Sequence, residues 1–379
     1  MKGNVYTDEK CPVCGGKLNH SGDRDGFLCI NGHGPFIPKK MRVKFGRDVS
    51  KRFAKYGAAR QFLEGLRFKT VEGTFDERDY RKDHPLGFRT QFEKFLKIKA
   101  RDASAKHVKK NIEPVFNRAV AVWNQKNVKT IGYSEIEDFI NDLELSDKTR
   151  HNYCSVLHNF FKWLSKREKV PIPEFPIVSF TLGWRNIVNV ETQSAIIDEV
   201  KRISWDRTPK VWVGIKWLAT YVSIRPNELR NLKERHIDIN GCFVIPDPKE
   251  KMPKIITMLP EDIELYHSFP RALPEMYFFR HDKPHGQTKA GEQFAARHLY
   301  KWWKKACSNL KIEGVDLYGG TRHSTTTALA NHFSEDQLMN EGTCHKTNKA
   351  FRRYMQSRPN AMSIYATAKI KKEVAGIVR

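Results

Sequence analysis

Three groups of residues in this 379-residue chain combine types and spacings suited to chemistry. The first is Cys11-Pro-Val-Cys14, followed after fourteen intervening residues by Cys29 and then His33. Three thiolates and an imidazole suit a closed tetrahedral Zn²⁺ site, and Gly15-Gly16 lets the chain turn back sharply. His20 is a rival fourth ligand. With no catalytic residues beside it, such a site would be structural, standing in for the core that a segment this short lacks. The second group is two arginines, each next to a helix-starting signal. Arg225 precedes Pro226, with Glu228 three residues on to brace its guanidinium, and Arg322 and His323 follow Gly319-Gly320 in "LYGGTRHSTTTALANH". Backbone N–H groups at such helix starts favour an anion. The third group is His345 and Tyr354, nine positions apart in "CHKTNKAFRRYMQ", a run with four Lys and Arg. That run reads either as a solvated basic helix end or as a tyrosine hydroxyl held against a phosphate.

The elements that must position these groups follow from periodicity and punctuation. Residues 1–45 form a small Cys- and Gly-rich, zinc-ribbon-like module. Residues 46–84 hold one helix and a connector: "DVSKRFAKYGAARQFLEGLRFKT" places Phe53, Tyr56, Phe62, Leu63 and Leu66 on one helical face, and "VEGTFDERDYRKDHP" reads as extended and polar. From 85 to 170 the pattern is helical throughout, closing with a long helix that Ser146 caps and basic residues end. "VPIPEFPIV", inside a linker at 171–185, carries three prolines and cannot continue a helix. Residues 186–379 contain two helices, a strand pair ("CFVIP" and "KIITMLP"), and then helix to the end. The fold class is mainly α with a small β component.

Composition narrows the partner. Sixty-seven Lys and Arg against 43 Asp and Glu leave a formal charge of +24. An excess of that size implies a polyanion, because each neutralised phosphate releases counterions. A membrane surface also attracts cations, but no apolar run of ~20 residues is present and the N-terminus "MKGNVYTDEK" is too polar for a signal peptide. Nucleic acid is therefore the expected partner, with no membrane. Seven cysteines, three of them in the first 30 residues, fit metal-binding thiols in a reducing, cytoplasmic setting better than a disulfide framework.

Taken together, the order and spacing of these residues resemble a tyrosine recombinase of the phage integrase family over about residues 85–370. That family carries "R-x-x-E-L-x-x-L", here Arg225-Pro-Asn-Glu228-Leu229-Arg-Asn-Leu232. A hairpin lysine follows, then a "(H/K)-x-x-R-H" box ending in Arg322-His323, then a His or Trp, and a Tyr nine residues later, matched by His345 and Tyr354. The resemblance implies a helical core-binding (SAM-like) domain and an α+β catalytic domain that clamp DNA, acting as a homotetramer. It also implies that Tyr354 attacks the phosphorus to give a 3′-phosphotyrosine, storing the bond energy without ATP or a catalytic metal. Arg225 and Arg322 would hold the non-bridging oxygens, and His345 would orient the phosphate or assist proton transfer. A hairpin lysine would protonate the leaving 5′-oxygen. "IPDPKEKMPKIITMLP" offers Lys249, Lys251 and Lys254, with Lys251 preferred by hairpin position and Lys249 next.

One position departs from the pattern: Gly319 stands where the box has His or Lys, with Tyr318 beside it as a candidate hydroxyl. Tyr365, in the apolar "MSIYATAKI", is the rival nucleophile at the wrong distance from His345. The tail "TAKIKKEVAGIV" fits either an arm donated to a neighbouring protomer or a segment packed on its own domain. Two other functions share these features. A non-catalytic DNA-binding protein needs the basic faces but not the joint presence of Arg225, Arg322, His345 and Tyr354. A type IB topoisomerase uses similar chemistry on one strand.

Overall fold

The computed structural model describes residues 3–22, 26–181, 183–238, 240–248, 252–284, 286–344 and 351–352. These divide into two units, Met1–Leu182 and Gly183–Arg379. No helix of the described residues is long and apolar enough to cross a membrane.

The first unit holds two cores. Strands β1 (Gly3–Tyr6), β2 (Leu18–His20), β3 (Phe27–Cys29), β4 (Met41–Phe45) and β5 (Val49–Phe53) make a three-stranded antiparallel sheet in the order β1-β4-β5 and a separate β2-β3 pair. Period-two alternation sends Val5, Met41, Val43, Phe45 and Val49 inward and Tyr6, Lys44 and Arg52 outward. The helix Tyr56–Val71 covers the inner face with Tyr56, Ala59, Leu63 and Leu66. Residues 49–53, expected to be helical, are therefore strand; their partner β4 is a neighbour set by pairing that helical periodicity does not register. The Cys-rich head also has a core after all. Phe27 is fully buried and meets Tyr56 edge-on at 6.2 Å, so the head shares the sheet's interior. The connector contains a short 3₁₀ helix, Glu77–Tyr80, whose Arg78 pairs with Asp76 and with Glu168 at 2.7 Å.

The second core lies among helices Phe88–Asp102, Glu113–Trp123, Tyr133–Asn141 and Asp147–Glu168. Phe88, Phe92 and Phe95 recur at helical spacing and meet Phe160, each ring pair 4.7–5.7 Å apart. Burying such side chains stabilises by about 1.5–3 kcal/mol each. Ser146 occupies the N-cap of the long helix, its hydroxyl bonded to Thr149, and left-handed Lys169 ends it. Residues 169–181 have no regular secondary structure, as the prolines require.

In the second unit, helix Pro209–Thr220 is the central element. Val211, Val213, Ile215, Trp217 and Leu218 are buried, as a helix surrounded on most sides demands. Gly214 is needed there, because a Cβ would come within 3.0 Å of Phe279. Around it pack Val190–Ser204, Pro226–Arg230, His298–Asn309 and the hairpin β6 (Cys242–Ile245) and β7 (Lys254–Thr257). Beyond β7 comes helix Pro260–His267, but residues 268–284 and 286–297 are irregular rather than helical, in keeping with Pro270, Pro274, Pro284 and Gly291. A five-residue π-turn, Gly319–His323, then runs into helix Ser324–Leu329, and a second π-turn spans Leu338–Thr343.

Candidate functional site

Arg225 is the N-cap of helix Pro226–Arg230, with Pro226 in the first turn where its missing N–H costs nothing. Glu228 folds back on it: one carboxylate oxygen accepts from Arg225 Nη1 at 3.0 Å and the other from the Arg225 backbone N–H at 3.1 Å. The second oxygen also lies 3.4 Å from Lys254 Nζ, and Lys254 donates to the Ser223 carbonyl at 3.2 Å. Hairpin register explains this lysine's direction. Lys254 stands opposite Ile245 on the face that buries Phe243 and Ile245, so its side chain enters the interior and is 7% exposed. A buried cation at that spot is tolerable because a buried carboxylate meets it.

Arg322 sits in the π-turn with Thr321 and His323, all three buried, and its Nη2 donates to the Thr343 carbonyl at 3.0 Å. The Thr343 segment returns to the first arginine: a Cβ on Gly342 would lie 3.8 Å from Val222, which precedes Arg225 by three residues. Helix Pro209–Thr220 packs against both the π-turn and Pro226–Arg230. The structure thus sets the Arg225 helix and the Arg322 turn against one buried helix, and the Thr343 segment that Arg322 holds reaches Val222, just past that helix's C-terminal end.

Cys344, left-handed at φ 54°, closes the second π-turn immediately before His345. His345, Tyr354, Tyr365, Lys249 and Lys251 lie outside the described residues. Close to Tyr354 in sequence, Phe351 is buried against Leu338, Leu329 and Met339, and Arg352 pairs with Glu335 at 3.6 Å.

The Cys-rich head converges on one point. The ligand atoms of Cys11, Cys14, Cys29 and His33 all lie within 4.8 Å of one another, with Cys14 Sγ to Cys29 Sγ at 3.3 Å and Cys11 Sγ to His33 Nδ1 at 3.8 Å. A tetrahedron with Zn–S bonds of ~2.3 Å has edges of about 3.8 Å, so the group could hold a metal ion. The Gly16 backbone N–H, with the Cys29 thiol and Asn31 amide, brings the Cys14 thiol down to about 6. His20 is not a rival ligand: its ring nitrogens face Asn4 Oδ1 at 2.6 Å and Tyr56 Oη at 2.9 Å.

No protein-family model and no curated protein matches the chain. Solved structures do. The XerH site-specific recombinase bound to a palindromic difH substrate, in a post-cleavage complex, is 18% identical at a TM-score of 0.54, over 79% of this chain and 88% of that one. A lambda integrase dimer bound to a COC′ core site matches at 12% identity and a TM-score of 0.54, over 90% and 97%. A lambda integrase tetramer bound to a Holliday junction matches at 12% and 0.54, over 85% and 93%. The chain has the recombinase–integrase fold.

Within that recombinase fold, Gly319 has a local reason to be glycine. A Cβ there would meet the Asn186 carbonyl oxygen at 2.4 Å and Asp316 Oδ1 at 3.1 Å, so the start of the second unit fills the space a side chain would take. Gly320 is equally confined, its Cβ position 2.1 Å from Trp303. Tyr318 presents its ring to two cations, with the Arg185 guanidinium 5.4 Å and that of Arg322 5.9 Å from its centroid. Sequence reading missed Arg185, Asn186 and the buried role of Lys254. The adjacent glycines in "YGGTR" were the available signal for a close approach, but not for what approaches.

Proposed function

We propose that this protein is a site-specific tyrosine recombinase that cleaves and rejoins double-stranded DNA, integrating or excising a mobile element. The observation that carries the reading is the packing of the Arg225 helix, its arginine braced by Glu228, and of the buried Arg322 turn against the same helix Pro209–Thr220, within a fold shared with DNA-bound recombinases. In this reading the Tyr354 hydroxyl attacks a backbone phosphorus, its proton passing to His345 or to solvent, and a 3′-phosphotyrosine forms as the bond to the 5′-oxygen breaks. Lys251, at the hairpin, gives its proton to that oxygen. Arg225 and Arg322 stabilise the charge gathering on the non-bridging oxygens, and His345 orients the phosphate. The reverse steps, with a 5′-hydroxyl from another strand as nucleophile, rejoin the backbone. Strand exchange requires four protomers on DNA, as in the lambda integrase tetramer. Zn²⁺ held by Cys11, Cys14, Cys29 and His33 would brace the head and take no part in cleavage.

The test is a suicide substrate, nicked so that the released fragment diffuses away and traps the adduct. Wild-type protein should accumulate a covalent DNA complex mapped to Tyr354. Tyr354→Phe should bind DNA normally and form none, while Tyr365→Phe should form it normally. An adduct that persists in Tyr354→Phe refutes the assignment. Sequence-specific binding with no adduct in any variant would make the protein a DNA-binding module instead.

A further inference from the structure

The π-turn that carries Arg322 needs support from outside itself. Wide turns of this kind are rare and occur as single turns within a helix rather than as stable runs. Here a short strap at the start of the second unit, residues 185–188, runs alongside it. Asn186 Nδ2 donates to the Gly314 carbonyl at 3.2 Å, and Val188 N–H donates to Ser324 Oγ at 2.9 Å. Ser324 Oγ in turn donates to the Gly319 carbonyl at 2.8 Å. Arg185 makes the ionic contact of the strap. Its Nη1 pairs with Asp316 Oδ2, while Asp316 Oδ1 accepts from the Gly319 backbone N–H at 2.6 Å. Its guanidinium and that of Arg322 meet the same Tyr318 ring, at 5.4 Å and 5.9 Å. Finally, Arg185 Cβ is 3.6 Å from where a Cβ of residue 319 would stand, so this side chain starts from the place that Gly319 leaves open.

We propose that Arg185 is a positioning residue for strand cleavage, fixing the Arg322 turn through Asp316 and Tyr318. An arginine there stays charged at any working pH and so exchanges no proton. Its contribution is a fixed cation that locks Asp316 onto the first N–H of the turn and one face of Tyr318 in place. Arg322 can then present its guanidinium in the same place at every turnover, as stabilisation of developing charge requires. Both contacts end on Asp316 and Tyr318, which lead directly into the turn, so Arg185 acts on the reaction rate and not on the grip on DNA.

This inference rests on the recombinase reading, and one experiment separates the two. Single-turnover cleavage of the suicide substrate at saturating DNA is measured for wild type, Arg185→Ala, Arg185→Lys, Asp316→Asn and the Arg185→Ala/Asp316→Asn double variant, alongside the Kd for DNA and the thermal midpoint. Arg185→Ala should slow cleavage at least tenfold with Kd changed less than twofold. Arg185→Lys, which keeps the charge, should recover most of the rate. The double variant should be no slower than the worse single one, because both lie on one path. A wild-type rate in Arg185→Ala overturns the inference alone, even if the thermal midpoint drops. So does an equal loss of rate and affinity that Arg185→Lys does not repair. No adduct from the wild type overturns the proposed function, and this inference with it.

Discussion

Replacing Tyr221 by Phe removes one oxygen from the support under the site, and the structure sets the cost. Tyr221 caps the C-terminal end of helix Pro209–Thr220 and donates to Asp262 Oδ2 at 2.7 Å. Asp262 is fully buried, and its other oxygen accepts from Lys216 at 2.5 Å. The same hydroxyl accepts from the Leu259 N–H at 2.8 Å, just past β7. Burial beside that carboxylate pushes the Tyr221 hydroxyl upward, keeping it a donor at any working pH. A hydrogen bond to a charged partner contributes about 1.5–3 kcal/mol, and an ordinary one about 1 kcal/mol. Tyr221→Phe should therefore destabilise the second unit by about 2.5–4 kcal/mol. For a unit near 200 residues that lowers the melting midpoint by roughly 5–15 °C. Denaturant unfolding of the intact chain, followed by fluorescence of Trp217 and Trp303, measures it. In an Asp262→Asn background the same change should cost at least about 1 kcal/mol less, since the two share a bond. A Tyr221→Phe protein within about 0.5 kcal/mol of wild type, the range of an unconnected surface change, would show that the hydroxyl does not hold Asp262.

Arg225→Ala and Arg322→Ala should each slow cleavage by about 10²–10³ while other cations keep DNA bound, the usual loss when one transition-state donor is removed; equal falls in rate and affinity would reduce them to grip. Purified protein should contain about one zinc per chain, and Cys14→Ser should release it while cleavage of short core sites survives; a well-folded head without metal refutes the site. Acid should loosen the second unit through His298, whose pKa burial, with His281 nearby, lowers to about 4. The unfolded chain, with a pKa near 6.5, binds the extra proton, so stability is full above about 6.5 and falls as pH drops towards 4. His298→Gln should flatten that slope in denaturant titrations at pH 7 and 4.5.

Helices were legible wherever their apolar residues repeat at three and four, as in Phe88, Phe92 and Phe95 or Leu157, Phe161 and Leu164. Arg225, Pro226 and Glu228 were legible for a similar reason, since the brace lies within one turn. What failed was non-local. Val49–Phe53 looked helical because Phe53 falls in phase with Tyr56, while β4, which makes it a strand, is set by pairing. Lys254 was read as a possible proton donor; only the register opposite Ile245 reveals that it points inward to Glu228. Gly319 looked like a missing side chain, and its neighbour Asn186 comes from the far end of the second unit's sequence.

The burial of Phe351 limits where a nucleophile at Tyr354 can work. Phe351 is 1% exposed and held by Leu329 and Leu338, residues of the segment that also carries Arg322. Tyr354 follows it by three residues, and a chain spans at most ~3.3–3.6 Å per residue, roughly 11 Å of backbone in all. On the recombinase reading proposed above, a seated Phe351 would keep the backbone of residue 354 within that reach of the segment that carries Arg322, favouring its own protomer's arginines over a neighbour's phosphate. Each subunit in an assembly would then cut the strand it holds itself. Mixing a protomer lacking the tyrosine with one lacking Arg322 would restore no cleavage.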